Sequence, residues 1–316
     1  ETDGRRVAAR ESYMIAALLW ATARWPIFEV NESLEHLEER MNHCYAKYAG
    51  LAAHPVEIVG IPFEGKELPA YLHLPRAAAR GETFPCVITI PGMDSCKENG
   101  AMMYGDAYLE RGIAVLAIDG PGQAESCTRG IYVTHTNHRD AAEATFGWLD
   151  RHPAIDTGQL VIRGTSFGSY WGLQWAAQLG DRVKGIGVSA VCHEPGCNTI
   201  FNMASPSFKL RFMFMANYDD EDEFDKYADA MDIRPTAPAV TCPVLIVAGE
   251  DDEVSPIEFS YELFDLFQAP KEILVYEGAN HSLADAMSVA LGEHPRVYLA
   301  DWLAARLDGK PVKSFK

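Results

Sequence analysis

From Pro85 onward the chain alternates short, continuously apolar runs with helical stretches, and few folds accept that rhythm. The runs are Cys86–Ile90, Ile113–Ile118, Leu160–Ile162, Val183–Val188, Val244–Val247 and Ile273–Tyr276. A strand that is apolar at every position must be buried on both faces, which is the condition of a parallel sheet covered by helices on both sides. Helical patterns fall between the runs, near Met102–Arg111, His138–Arg151, Ser166–Leu179, Ile257–Phe267 and Ser282–Leu291, with a last one near Pro295–Leu307. The expected fold class is therefore α/β with a mostly parallel sheet, and ligands in such sheets bind beyond the carboxyl ends of the strands.

The segment before this alternation reads differently. Met14–Ala23 follows Arg5, Arg6 and Arg10 and invites comparison with a secretory signal, but Met14, Leu18, Ala21 and Trp25 recur at helical spacing before Pro26. That spacing fits an amphipathic helix lying on a core. Leu34, Leu37, Met41, Tyr45 and Tyr48 repeat in the same way until Gly50, so residues 1–54 are expected to be a helical extension. Val56–Ile58 and Leu68–Leu74, joined through Phe63–Glu67 with its glycine, predict a hairpin at the antiparallel edge of the sheet. The interval after His193 breaks the alternation and is rich in Phe201, Met203, Phe208, Phe212, Met213, Phe214, Met215 and Tyr218. An insertion at the end of a strand would lie over the site as a helical cap, although apolar stripes also serve simply as core. The expected organisation is a helical extension over 1–54 that joins the cap, a first part of the core over 55–192, the cap insertion over 193–240, and the rest of the core over 241–316.

A formal net charge of -18 over 316 residues repels phosphate backbones and anionic headgroups, so neither nucleic acid nor a membrane is expected as a partner. No apolar run is long enough to span a bilayer. Asp219–Glu223 lacks the glycine and spaced ligands of a calcium loop and reads as a solvated helix start. Seven dispersed cysteines without a Cys-x-x-Cys pair suit a reducing compartment, with the cytoplasm as the default. Cys192, His193 and Cys197 lie close together, but no second cluster completes a zinc set, so no metal is expected.

Gly164-Thr165-Ser166-Phe167-Gly168 follows a strand run and opens a helix, the context that gives Gly-x-Ser-x-Gly its chemical meaning. The sharp strand-to-helix reversal lifts the Ser166 hydroxyl above the sheet, next to a helix amino terminus that favours negative charge. A serine hydroxyl needs a base, and the base needs an acid to hold its tautomer. Val244–Val247 leads into Glu250, Asp251, Asp252 and Glu253, and Ile273–Tyr276 leads through a short glycine-containing loop to His281. Nucleophile, acid and base thus arrive in the order Ser, Asp, His, each at a strand's carboxyl end.

From the hairpin to the carboxyl terminus these segments resemble the α/β-hydrolase superfamily. Gly92-Met93-Asp94-Ser95-Cys96-Lys97-Glu98 and Asp119-Gly120-Pro121-Gly122-Gln123-Ala124-Glu125-Ser126 resemble more narrowly the branch that holds dihydroxy-pseudo-oxynicotine hydrolase and fungal pigment-precursor hydrolases. Ala124 stands where that branch often has glycine. The resemblance selects Asp252, third after Gly249, as the acid, and assigns the oxyanion-hole amides to Met93 and Phe167. It implies a hydrolase without cofactor that forms an acyl-enzyme on Ser166 and cleaves a carbon–carbon bond next to a ketone in a small-molecule substrate. A carbon leaving group must be protonated, and Glu194, with His193 beside it, is the expected auxiliary acid. Asp94 is a second candidate for substrate contact, while Lys97 and Glu98 are read as an ion pair bracing their loop. The alternatives are a carboxylic-ester hydrolase or thioesterase with the same machinery, and a non-catalytic binding protein on the same fold. A homodimer is the assembly to test.

Overall fold

The computed structural model describes residues 4–76, 81–100, 106–283 and 294–313. Each apolar run forms a strand: β3 (Phe84–Ile90), β4 (Ala114–Ile118), β5 (Ile155–Ser166), β6 (Val183–Val191), β7 (Val244–Gly249) and β8 (Lys271–Tyr276). With the hairpin strands β1 (Val56–Phe63) and β2 (Lys66–His73) they make one eight-stranded sheet in the order β1-β2-β4-β3-β5-β6-β7-β8. β2 pairs antiparallel with β1 and with β4, and every other pairing is parallel. The hairpin is the antiparallel edge, as its sequence implied.

Both hairpin strands are longer than their apolar runs. Val59, Ile61 and Phe63 are buried alternately, with Gly60 and Pro62 between them, and those two residues hide the strand from a reading of the sequence. Proline is tolerated on an edge strand, where its missing N–H faces no partner. Glu64 and Gly65 both have positive φ, 49° and 74°, the conformation of a two-residue type I′ turn.

The expected double covering is present. On β3, Cys86, Ile88 and Ile90 enter one apolar cluster and Val87 the other, as strand geometry requires. The larger cluster includes buried residues of the helix Phe167–Leu179, and the smaller is closed by Leu299, Trp302 and Leu303 of the helix Pro295–Leu307. The two N-terminal helices, Arg6–Ala23 and Glu32–Leu51, pack together through Met14, Ala17, Cys44, Tyr45 and Tyr48 against Tyr71 of β2. Asp220 caps the helix Glu221–Asp229 by accepting the Glu223 N–H, so the acidic run is a helix start. Among the described residues no helix is long and apolar enough to cross a membrane. Of the helix expected near Ser282–Leu291, residues 284–291 lie outside the described residues, as do 102–105 of the one expected near Met102–Arg111.

Residues 195–239 hold a 3-10 turn (Pro195–Cys197), a π turn (Thr199–Met203), helices at Pro206–Ala216 and Glu221–Asp229, and a 3-10 segment at Arg234–Ala239. Phe201, Phe212 and Phe224 pack on one another and, through Phe201 and Phe212, on Phe167. Most of the aromatic side chains of this interval are therefore core. Phe208 lines the cavity that Ser166 also lines, and Met203 is exposed.

Candidate active site

Ser166 ends β5 and caps the helix Phe167–Leu179, with φ 53° and ψ -126°, a conformation costly for a residue with a side chain. The flanking glycines make the turn possible. A Cβ on Gly168 would run into the carbonyl oxygen of Ile90, and one on Gly164 into the carbonyl of Gly168. The register puts Ile90 beside Gly164, so the loop after β3 starts next to the nucleophile turn. A Cβ on Gly92 would lie 2.8 Å from Ser166 Cβ and 3.3 Å from its Oγ.

The strands β7 and β8 end level, Gly249 opposite Tyr276, and this brings their loops together. His281 Nε2 lies 3.1 Å from Ser166 Oγ and its Nδ1 lies 2.8 Å from Asp252 Oδ2. The other Asp252 oxygen accepts the N–H groups of Val254 and Ser255 at 3.0 and 2.9 Å, and its side chain is 1% exposed. Its neighbours are engaged elsewhere: Glu250 accepts the Gly278 N–H and Glu253 accepts the His281 backbone N–H, each at 3.0 Å. Among four adjacent carboxylates, Asp252 is the one that meets the imidazole. With Nδ1–H donated to a carboxylate, Nε2 of the neutral ring is free to accept the serine proton.

Ser166 and His281 open on a cavity of about 410 Å³, with Asp252 buried behind the imidazole. Its wall includes Met93, Asp94, Arg163, Ser189, Ile200 and Phe208. Met93 is buried and shares the cavity wall with Ser166, and Phe167 is the first residue of its helix, so its N–H belongs to the helix end that lacks intrahelical acceptors. Asp94 is exposed at the cavity; its Oδ1 lies 3.2 Å from the point where a Gly92 Cβ would sit.

Behind this loop lies a buried charge cluster. Lys97 Nζ meets Glu125 at 2.6 Å, Glu98 at 2.8 Å and Asp119 at 3.4 Å, and the Lys97 backbone N–H donates to Asp119 Oδ1 at 2.7 Å. Burial alone would depress the ammonium, but Glu98, Tyr71, Asp119 and Glu125 outweigh it and hold its pKa well above the ordinary value. Burial pushes Asp119 up to about 7 despite Lys97. Glu125 falls to about 2, because Lys97 and Arg129 outweigh the cost of burial. The expected brace of Lys97 and Glu98 is present and is larger than a single pair.

Glu194 and His193 are not brought into the cavity. The Glu194 carboxylate accepts the Thr199 N–H at 2.7 Å, starting the π turn. His193 is buried, lies within 3.2 Å of Ser260 Oγ through Nδ1, and donates its backbone N–H to Ser255 Oγ at 3.1 Å. Burial lowers its pKa to about 3, so it stays neutral and ties the end of β6 to the loop of Asp252. The placement of both residues at the site is corrected. Arg163 and Ser189 carried no signal in the sequence, and Cys192 stands out there only with His193 and Cys197 as a metal cluster; yet Arg163 and Ser189 line the cavity, joined at 2.6 Å, and Cys192 Sγ lies 3.6 Å from Ser166 Oγ. All seven cysteines are free and buried, and no group of three or more His, Cys, Asp or Glu able to hold a metal occurs among the described residues.

A mostly parallel sheet with a serine at a strand–helix turn, and an aspartate and a histidine after later strands, defines an α/β hydrolase. The profile of the prolyl oligopeptidase family matches residues 103–307, more than half of the chain, and the chain belongs to that family. It is 27% identical over 308 residues to 2,6-dihydropseudooxynicotine hydrolase of Paenarthrobacter nicotinovorans, covering 95% of this chain and 77% of that protein. It is 32% identical over 190 residues to the α/β hydrolase pydG of an Acremonium species, covering 57% of this chain and 44% of that one. The crystal structure of 2,6-dihydroxy-pseudo-oxynicotine hydrolase superposes with a TM-score of 0.85 at 25% identity, covering 99% of this chain and 85% of that one.

Proposed function

We propose that Ser166, His281 and Asp252 act as a catalytic triad that hydrolyses a carbon–carbon bond next to a ketone in a small organic substrate. The observation that carries the reading is the hydrogen-bonded series from Ser166 through His281 to Asp252, opening on the 410 Å³ cavity. Similarity to the pseudooxynicotine hydrolase over 95% of the chain supports the choice of bond. Residues 1–54 and 193–240 act together as the cap over a core formed by 55–192 and 241–316. The free thiols support a reducing compartment, the cytoplasm, as its setting.

Ser166 Oγ adds to the ketone carbonyl as its proton passes to His281 Nε2, and the tetrahedral oxyanion takes the backbone N–H groups of Met93 and Phe167. Each such donor is worth about 3 kcal/mol in comparable enzymes. Collapse breaks the carbon–carbon bond, the carbon leaving group takes the proton held by His281, and water then cleaves the acyl-enzyme with His281 again as base. Asp94 is the carboxylate of this loop that lies in the cavity, and it contacts the substrate or assists that protonation. No step uses a metal: added chelator should leave turnover unchanged, and strict dependence on a divalent ion would overturn that part of the reading.

Ester or thioester hydrolysis is the second reading, favoured by the position of Glu194, which leaves the leaving carbon without the acid expected there. Incubation with a fluorophosphonate probe should label Ser166. Folded protein that takes no label there would sink the nucleophile assignment, and a panel of ketones and aryl esters separates the two bonds.

A further inference from the structure

Two polar side chains outside the triad meet the nucleophile turn from behind. Ser169 is fully buried; its hydroxyl donates to the Ser166 carbonyl oxygen at 2.6 Å and accepts the Cys192 backbone N–H at 3.0 Å. Cys192, 2% exposed, places its Sγ 3.6 Å from Ser166 Oγ. The end of β6 is shaped to do this. Thr165 pairs with Ser189 but Ser166 pairs with Val191, so Ala190 is an extra residue, held at φ 47°. Such a bulge re-aims the side chains that follow it.

Counting protons decides which atom donates. Asp252 accepts from His281 Nδ1, so Nε2 of the neutral ring carries a lone pair and takes the serine's one hydroxyl proton. The proton between Oγ and Sγ must then belong to the thiol. We propose that Cys192 is a positioning residue for hydrolysis: its S–H donates to Ser166 Oγ and so directs the serine's own proton at His281. Burial pushes the Cys192 thiol well above its ordinary pKa, which keeps that donor in place through the neutral range. The inference rests on the reading of Ser166 as nucleophile.

A thiol is a weak donor, so the expected effect is modest. With an activated aryl ester as probe, Cys192→Ala should lower kcat about three- to tenfold while leaving KM unchanged. Cys192→Ser, which keeps a donor on a shorter arm, should recover part of the loss. A spectroscopic arm needs no activity: the Cys192 S–H stretching band, isolated as the infrared difference between unmodified protein and Cys192→Ala, should move to higher frequency in Ser166→Ala. An unshifted band, or full kcat in Cys192→Ala, would overturn the role. If Ser166 in the unmodified protein takes no fluorophosphonate label, the nucleophile reading has failed instead. A labelled Ser166 with an unmoved band removes only the part given to Cys192.

Discussion

Replacing Lys97 by methionine removes one positive charge from among three carboxylates while keeping all but the last atom of the side chain's length, and the contacts show which groups are stranded. Glu125 keeps Arg129, at 2.6 Å. Asp119 keeps the backbone N–H of residue 97, and Glu98 keeps the Tyr71 hydroxyl at 2.9 Å, but its Oε2 is buried without a partner. Both Asp119 and Glu98 are fully buried. Removing one partner of a buried ion pair costs about 3–5 kcal/mol, a large share of the roughly 5–15 kcal/mol that holds a domain folded.

The cost must depend on pH, because a stranded buried carboxylate escapes it by taking a proton. Burial already pushes Asp119 up to about 7 with Lys97 present, and without the ammonium its pKa should rise further. Above pH 7 the folded variant then keeps a proton that the folded unmodified protein has lost, so the variant's deficit grows with pH there by up to about 1.4 kcal/mol per pH unit. Urea unfolding at pH 8 should show the full 3–5 kcal/mol loss, and at pH 5.5 a loss smaller by roughly 1 kcal/mol. Hydrolysis should fall along with stability, because the loop of Met93 is anchored at residue 97. An equal loss at both pH values, or one below about 1 kcal/mol, would show that the cluster is not an electrostatic brace.

Three further substitutions probe the site. Asp252→Asn should lower kcat about 10⁴-fold in an ester assay with an unchanged melting curve, since the amide favours the wrong imidazole tautomer; near-normal turnover would move the role to another carboxylate. Gly168→Ala should cost about 3 kcal/mol or more in a denaturant titration, because the new methyl meets the Ile90 carbonyl oxygen, and wild-type stability would mean that the two loops are less tightly joined. Glu194→Gln should change ketone and ester hydrolysis less than about twofold, because an amide oxygen still accepts the Thr199 N–H; selective loss of ketone cleavage would restore Glu194 as the auxiliary acid.

The sheet was legible because parallel strands buried on both faces leave continuous apolar runs, and each such run is a strand. The same logic failed where a strand carries residues that break the pattern, as Gly60 and Pro62 do in β1. The strand-to-helix turn at Ser166 was legible from its glycines, since the approach of Ile90 to Gly168 tolerates no side chain. The misplacement of Glu194 and His193 has one local cause. Ala190 is inserted in the pairing of β6 with β5 and takes a positive φ that nothing about alanine announces, so the direction of the residues after it could not be read from their number. The segment 195–239 was obscure for a related reason: 3-10 and π turns follow neither a period of two nor one of 3.6.

Three non-glycine residues that line the cavity, Ser166, Ala190 and Leu283, have positive φ, and so does Ala124 behind the Met93 loop. Ser166 has φ 53°, Ala190 φ 47°, Leu283 φ 58° and Ala124 φ 36°. Conformations of this kind cost about 1–3 kcal/mol each and persist only where the surroundings over-determine them. The surroundings do so here: Ser166 is held through Ser169 and the glycine contacts, and Ala190 lies between strand residues paired on both sides. Ala124 is buried against Met41 of the N-terminal helices and Cys96 of the Met93 loop. The extension that precedes the sheet therefore packs on the loop of Met93, whose amide is proposed for the oxyanion, and the folding of residues far from Ser166 helps to hold that loop. That coupling gives a physical reason for a hydrolase of this size to retain two helices that contribute no side chain to the triad.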